Sequence, residues 1–175
     1  MSKPWRFIPL VLLGLVVAGL VWRLATPADT SVSSKLAGEP VPAFALEPAI
    51  PERSGLASSD LATGGPHLVN IFASWCVPCR TEAGVLGELK DRGVTIEGIA
   101  IRDRPEDVAR FLARYGDPYH RIGSDPQSAV QIALGSSGVP ESFIVDGRGI
   151  IRYQHIGPID AGEAGMMLKR LEEAK

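Results

Sequence analysis

This sequence predicts an α/β domain, a mixed sheet covered on both faces by helices, with a transmembrane helix at its N-terminus. Three observations carry that expectation: alternating strand-like and helix-like segments, a long uncharged stretch near the start, and a buried strand running directly into a helix. At 175 residues the chain fits one domain and a short appendage, since domains usually run to about 100 to 150 residues. A hydrophobic content of 45% with 22% charged residues is ordinary for a globular protein and sufficient for a core. The formal net charge of -2, without any Lys/Arg run, offers no footprint for nucleic acid.

Residues 1–25 read as a membrane anchor. Phe7 to Trp22 is uncharged and almost wholly apolar, with Lys3 and Arg6 before it and Arg23 after. As a helix it rises roughly 24 Å, slightly short of the ~30 Å hydrocarbon core, and Trp5, Trp22 and a snorkelling Arg23 can cover the difference. The alternative is a cleaved signal peptide, for which Thr26-Pro27-Ala28 is a weak cleavage site. Either way the remainder is exported. The N-terminal positive charge favours a cytoplasmic start. Residues 26–37 are small and polar and suit a tether, leaving 38–175 as the folded domain.

Within that domain, Gly38 to Leu46 looks like an edge strand or hairpin, and Glu47 to Gly65 like loop. His67 to Ala73 holds the apolar run of a buried central strand and leads into Ser74-Trp75-Cys76. A helix follows, with Val85, Leu86 and Leu89 on one face and Gly93 as its stop, weakened by Gly84 and Gly87. Val94 to Ile101 reads as the next strand. Pro105 opens the clearest helix, with Val108, Phe111, Leu112 and Tyr115 on one face and Gly116 closing it. Ser128 to Leu134 suggests a short helix. Ser142 to Val145 and Ile150 to His155 form a hairpin across Asp146-Gly147-Arg148-Gly149. Asp160 and Glu163 resemble a capping box for a last helix buried through Ala164, Met167, Leu168 and Leu171.

The only cysteines, Cys76 and Cys79, sit at the junction of strand and helix. A structural staple, a metal site and a redox pair compete for them. A staple is disfavoured, because so small a ring restricts the unfolded chain by only roughly 2 kcal/mol, against about 4.7 kcal/mol for a 100-residue loop. A zinc site lacks ligands, since His67, His120 and His155 are not at ligand spacing from the pair. Redox chemistry needs a nucleophilic thiolate and a resolving thiol, and a C-x-x-C at a helix N-terminus provides both. Free N–H groups and the helix dipole favour a thiolate at Cys76, which then attacks. Cys79, one turn on and further inside, resolves the mixed disulfide. Val77 and Pro78 control how many N–H donors reach the sulfurs, and Pro78 suits a first helical turn.

The segment Asn70-Ile71-Phe72-Ala73-Ser74-Trp75-Cys76-Val77-Pro78-Cys79-Arg80-Thr81-Glu82 resembles the active-site segment of periplasmic thioredoxin-like proteins. Gly138-Val139-Pro140-Glu141-Ser142 and Gly149-Ile150-Ile151-Arg152-Tyr153-Gln154-His155-Ile156-Gly157 are similar to the DsbE/CcmG family of cytochrome c biogenesis. The resemblance covers roughly Gly38 to the C-terminus, and the family's N-terminal anchor matches as well.

It implies a thioredoxin-like fold and a thiol-disulfide oxidoreductase at the bacterial inner membrane, single-pass, with its domain in the periplasm. The implied chemistry is reduction of the heme-attachment cysteines of apocytochrome c, with the oxidised pair recharged by a DsbD/CcdA-type membrane donor. No cofactor or metal is implied beyond the redox-active cysteines. Pro140 matches the family's cis-proline, with the Val139 backbone available to a substrate strand. Glu82, three residues after Cys79 and so on nearly the same helix face, reads either as an acid/base or pKa-raising charge near the sulfur or as a solvated helix carboxylate; its position matches an acidic position of the family, and Glu141 a second acidic residue of the same region. Trp75 packs beside the sulfur and shapes the docking surface. His155 reads as structural and Asp103 as a helix-start residue. Two positions depart from the family: Ala83-Gly84 stands where His-Pro is common, and Ser136-Ser137 where an aromatic precedes the proline segment. Other readings are a TlpA/ResA-like reductase for another exported client such as a copper-site protein, a noncatalytic apocytochrome-binding chaperone, and a metal-delivery module.

Overall fold

The computed structural model describes residues 8–25 and 36–175. Lys3, Trp5 and Arg6, and most of the tether at 26–37, lie outside the described residues. The chain divides into two units, Met1–Thr30 and Ser31–Lys175. The first holds the helix α1, Ile8–Ala25, whose apolar side chains from Ile8 to Trp22 are exposed. Its 18 residues rise about 27 Å. Among the described residues no helix is long and apolar enough to cross a membrane.

The second unit is built on a five-stranded sheet. Its strands are β3 (His67–Phe72), β4 (Thr95–Ile101), β5 (Arg121–Asp125), β6 (Glu141–Val145) and β7 (Ile151–Ile156). The order across the sheet is β5-β4-β3-β6-β7. Strand β3 runs parallel to β4, and β4 to β5, whereas β6 is antiparallel to β3 and β7 to β6. Every residue of β3 is buried, so both faces of the central strand are covered. The helices are α2 (Val77–Asp91), α3 (Pro105–Tyr115), α4 (Ala129–Ala133) and α5 (Ala164–Glu173). Leu68, Ile71 and Phe72 of β3 are fully buried with Leu86 and Leu89 of α2. Burying each such side chain contributes about 1.5 to 3 kcal/mol.

Local signals act where expected. Gly93 (φ +87°) follows α2, and its N–H bonds the Lys90 carbonyl at 2.8 Å. Gly116 (φ +104°) closes α3. Asp160 and Glu163 exchange side chain to backbone hydrogen bonds of 3.1 and 3.0 Å before α5. Despite Gly84 and Gly87, α2 is unbroken.

The entry into the fold corrects the sequence expectation. Gly38 to Leu46 is neither one edge strand nor a hairpin within itself: Pro40 bridges Ile150, whereas β1 (Ala45–Leu46) pairs with β2 (Leu56–Ala57) in a separate two-stranded sheet. The segment expected as loop, Glu47 to Gly65, contains β2 and a short 3₁₀ turn, Ser58–Ala62. Two-residue strands leave no periodic pattern, and Pro40, Pro42 and Pro48 withdraw backbone donors. Strand β5 had no sequence signal. Its Arg-Ile-Gly-Ser-Asp holds one large apolar residue, because Leu46 fills the space above Gly123, where a Cβ would come within 2.8 Å of it.

A second glycine shapes the interior. Gly98 lies beside Asn70 in the β3–β4 register, and a Cβ there would meet ring atoms of Tyr119 and Phe72 at 3.0 to 3.1 Å. Its absence lets Tyr119 stack on Phe72, ring centroids 4.7 Å apart, and reach Asn70.

Candidate active site

Parallel pairing brings the C-terminal ends of β3 and β4 to one edge of the sheet, and antiparallel β6 begins at that edge. The topology therefore gathers Ser74 to Cys79, Arg102 to Asp103, and Val139 to Glu141, three segments distant in sequence. Loops at the carboxyl ends of parallel strands are where α/β folds build sites.

Cys76 is the N-cap of α2, and its sulfur accepts the Cys79 N–H at 3.2 Å. A negative charge on that sulfur would face the free N–H groups of the first turn. Cys76 and Cys79 form a disulfide across the turn, with Cα atoms 5.4 Å apart. Pro78 occupies the first turn, where its missing N–H costs nothing. With the disulfide closed, Cys76 is 4% exposed and Cys79 2%, so the attacking sulfur is not an open surface group. What is exposed is its surround, Trp75 at 50% and Val77 at 62%, along with Pro78. These residues cover the pair while offering a surface beside it.

Behind the disulfide lies a chain of buried polar groups. Glu82, on α2 one turn after Cys79, is 1% exposed. Its carboxylate accepts the Asn70 side-chain amide at 3.0 Å and the Ile159 N–H at 3.1 Å. Asn70 also donates to Ser142 Oγ at 3.0 Å and accepts the Tyr119 hydroxyl at 2.8 Å. Burial pushes the Glu82 carboxyl up to about 7, and the two hydrogen bonds pull only partly against it. Burial likewise pushes the Tyr119 hydroxyl well up, with the Glu82 charge adding to it, so Tyr119 remains a donor. Asn70 and the stretch Gly116-Asp117-Pro118-Tyr119 both belong to the segments that carry the family resemblance, yet neither Asn70 nor Tyr119 had a role legible in the sequence, because the partner of a buried polar residue is distant in the chain.

The Val139–Pro140 peptide is cis. Glu141 is fully buried, and it serves the loop before the proline rather than the sulfurs. Its carboxylate lies 2.5 Å from Ser136 Oγ, accepts the Ser137 N–H at 2.9 Å, and pairs with the Gln154 amide. Ser136 and Ser137, the pair that departs from the resemblance, thus become the ligands of Glu141.

Asp103 also has a different part from the one expected. It does not cap α3, whose N-cap is Arg104. Its two carboxylate oxygens accept the Ser74 N–H at 2.6 Å and the Ser74 hydroxyl at 2.5 Å. The Trp75 indole N–H reaches the Arg102 carbonyl at 3.4 Å. The end of β4 therefore holds the two residues before Cys76. Replacing Asp103 by alanine is expected to cost about 1.5 to 3 kcal/mol in urea unfolding, the range for hydrogen bonds to a charged group, and to slow disulfide exchange.

The three histidines lie elsewhere. His67 Nδ1 and His120 Nδ1 converge on Glu97 at 3.4 and 3.1 Å, toward the opposite ends of β3 and β4 from the cysteines. His155 Nε2 faces the Pro158 carbonyl at 3.4 Å and Glu163 at 3.6 Å. Among the described residues no group of three His, Cys, Asp or Glu side chains is placed to hold a metal ion.

Comparisons with known proteins agree with this arrangement. The Redoxin family model matches residues 36–172. The thiol:disulfide interchange protein HelX of Rhodobacter capsulatus is 38% identical over 159 residues, covering 91% of this chain and 90% of that one. The thiol:disulfide interchange protein DsbE of Escherichia coli K12 is 34% identical over 164 residues, covering 91% and 89%. A crystal structure from Chlorobium tepidum assigned to DsbE superposes with a TM-score of 0.68 at 24% identity, over 79% of this chain and 96% of that one, a likeness of fold. The chain therefore belongs to the Redoxin family, among the DsbE-type thiol:disulfide interchange proteins, and is a thiol-disulfide oxidoreductase with Cys76 and Cys79 as its Cys-x-x-Cys pair.

Proposed function

We propose that the protein is a membrane-held reductant of exported thiol proteins, its client being the heme-attachment cysteines of apocytochrome c. The observation that carries the redox part is the Cys76–Cys79 pair across the N-terminus of α2, with a buried carboxyl near neutrality, Glu82, one turn behind it. In the reduced protein the Cys76 thiolate attacks one sulfur of the client disulfide, and the other client sulfur leaves as a thiolate that takes a proton from water. Cys79 gives its proton to the Glu82 carboxylate and attacks the Cys76 sulfur. The bond between Cys76 and the client breaks, and the second client thiolate leaves. The client has gained two electrons and the Cys76–Cys79 disulfide has formed. The Val139 backbone, which bonds no other group among the described residues, is available to a client strand.

The membrane reading rests on α1, whose exposed apolar side chains follow Lys3 and Arg6, a charge placement that favours a cytoplasmic N-terminus and a periplasmic domain at the inner membrane. A reductant in an oxidising compartment needs electrons, and a DsbD/CcdA-type membrane carrier is the proposed source. The direction of exchange is tested by equilibrating the pair with glutathione. A potential more reducing than about -180 mV is expected, and one near the ~-120 mV of a strong oxidant would overturn the reductase reading. In cells lacking this protein, c-type cytochromes should be lost and should not return with a variant in which both cysteines are replaced by serine; full return would instead favour a noncatalytic chaperone.

A further inference from the structure

Beside the disulfide, between α2 and α3, lies a groove of about 480 Å³ lined by Ser74, Arg80, Asp107, Arg110, Arg114 and Tyr115, among others. Its charges are not evenly matched. Both oxygens of Asp107 are taken, one by Arg104 at 2.9 Å and the other by Arg110. Asp103 at the active-site end is occupied by Ser74. Arg80 and Arg114 have no carboxylate partner among the described residues. Their guanidinium carbons lie 5.9 and 5.4 Å from the centroid of one ring, Tyr115. Arg80 is otherwise 3.4 Å from the Ser74 carbonyl, two residues before Cys76, and both arginines are exposed. Two guanidinium groups held on one aromatic ring are ordered donors with unused N–H groups, and such donors suit carboxylates.

We infer that this groove takes an acidic stretch of the polypeptide whose cysteines are exchanged at Cys76, with a carboxylate held by Arg80 and Arg114. The inference rests on the oxidoreductase reading for its geometry, since a client sulfur meeting Cys76 brings the flanking residues of the client over Ser74 and Arg80. Glu106, the remaining acidic group of α3, is exposed on the first turn of that helix, away from Arg114 in its last turn. The acidic stretch therefore engages the Arg80–Arg114 end.

The test uses the full-length protein and two synthetic peptides carrying the same Cys-x-x-Cys disulfide, one flanked by aspartates and the other by asparagines. At low ionic strength kcat/KM for the aspartate peptide should exceed that for the asparagine peptide about fivefold, the scale of a few screened ion pairs. The ratio should fall toward one at ~1 M salt, where the screening length is about 3 Å. Arg80→Glu combined with Arg114→Glu should bring the ratio below one. Equal rates in the unmodified protein, or a ratio that survives the double replacement, would overturn the inference. Serine versions of both peptides are titrated against the oxidised protein in parallel. If neither disulfide peptide is reduced, the oxidoreductase reading fails, while the groove still stands or falls on the affinity ratio of the serine peptides.

Discussion

Replacing Cys76 by alanine is expected to remove exchange almost completely, a loss on the order of 10³-fold or more in kcat/KM, whereas Cys79→Ala should stop the reaction halfway. The reason is the position of each sulfur. Cys76 caps α2 and faces the N–H of Cys79, so a thiolate there is the stabilised nucleophile. Cys79 sits within the helix at 2% exposure, where an outside sulfur reaches it less readily than the neighbouring Cys76 does. The Cys79→Ala protein should therefore accumulate mixed disulfides with its client, seen as thiol-sensitive bands on a non-reducing gel. Trapping by Cys76→Ala alone would reverse the assignment of roles.

The second large effect belongs to Glu82. Its carboxyl is raised in the folded, oxidised protein from 4.5 to about 7 by burial. A raised acid binds its proton more tightly in the folded than in the unfolded state. Its contribution is then full below about pH 4.5 and is lost as pH rises through about 7. At about 1.4 kcal/mol per pKa unit the loss is on the order of 3 kcal/mol. Glu82→Gln has no charge to bury, so the stability of the variant minus that of the unmodified protein should climb by roughly this amount between pH 5 and pH 8.5 in urea unfolding of the oxidised forms. A flat difference would mean that Glu82 does not titrate in that window. In the proposed mechanism the same variant lacks the acceptor for the Cys79 proton, so mixed disulfide should persist in it above pH 7.

The fold and the cysteines were legible in the sequence to different depths. The central strand, α2, α3 and the β6–β7 hairpin were readable because their signals are local: an apolar run, a helical stripe, a glycine stop, a turn-rich link. Strand β5 was not, since the space above its Gly123 is filled by Leu46, a residue far away in sequence. For the same reason the entry segment, expected as an edge strand or hairpin, divides between two neighbours. Its register is set by the partners rather than by its own pattern.

Among site residues, the motif itself identified Cys76 and Cys79 and their places in the helix. Resemblance pointed to Pro140, Glu82 and Glu141. Their surroundings came from tertiary contact: Asn70 and Tyr119 became the partners of a buried acid, Asp103 became a clamp on Ser74, and Glu141 became the anchor of a serine pair. The sequence alone thus determined the chemistry, reversible dithiol exchange, because reactivity at a helix N-terminus depends on residues within one turn. Only the tertiary structure decided that Cys76 lies covered by exposed neighbours, that Glu82 is shut away from water, and that Arg80 and Arg114 have no carboxylate partner among the described residues. Burial and pairing are set by which segments the sheet brings together, and no local stretch of sequence contains that information.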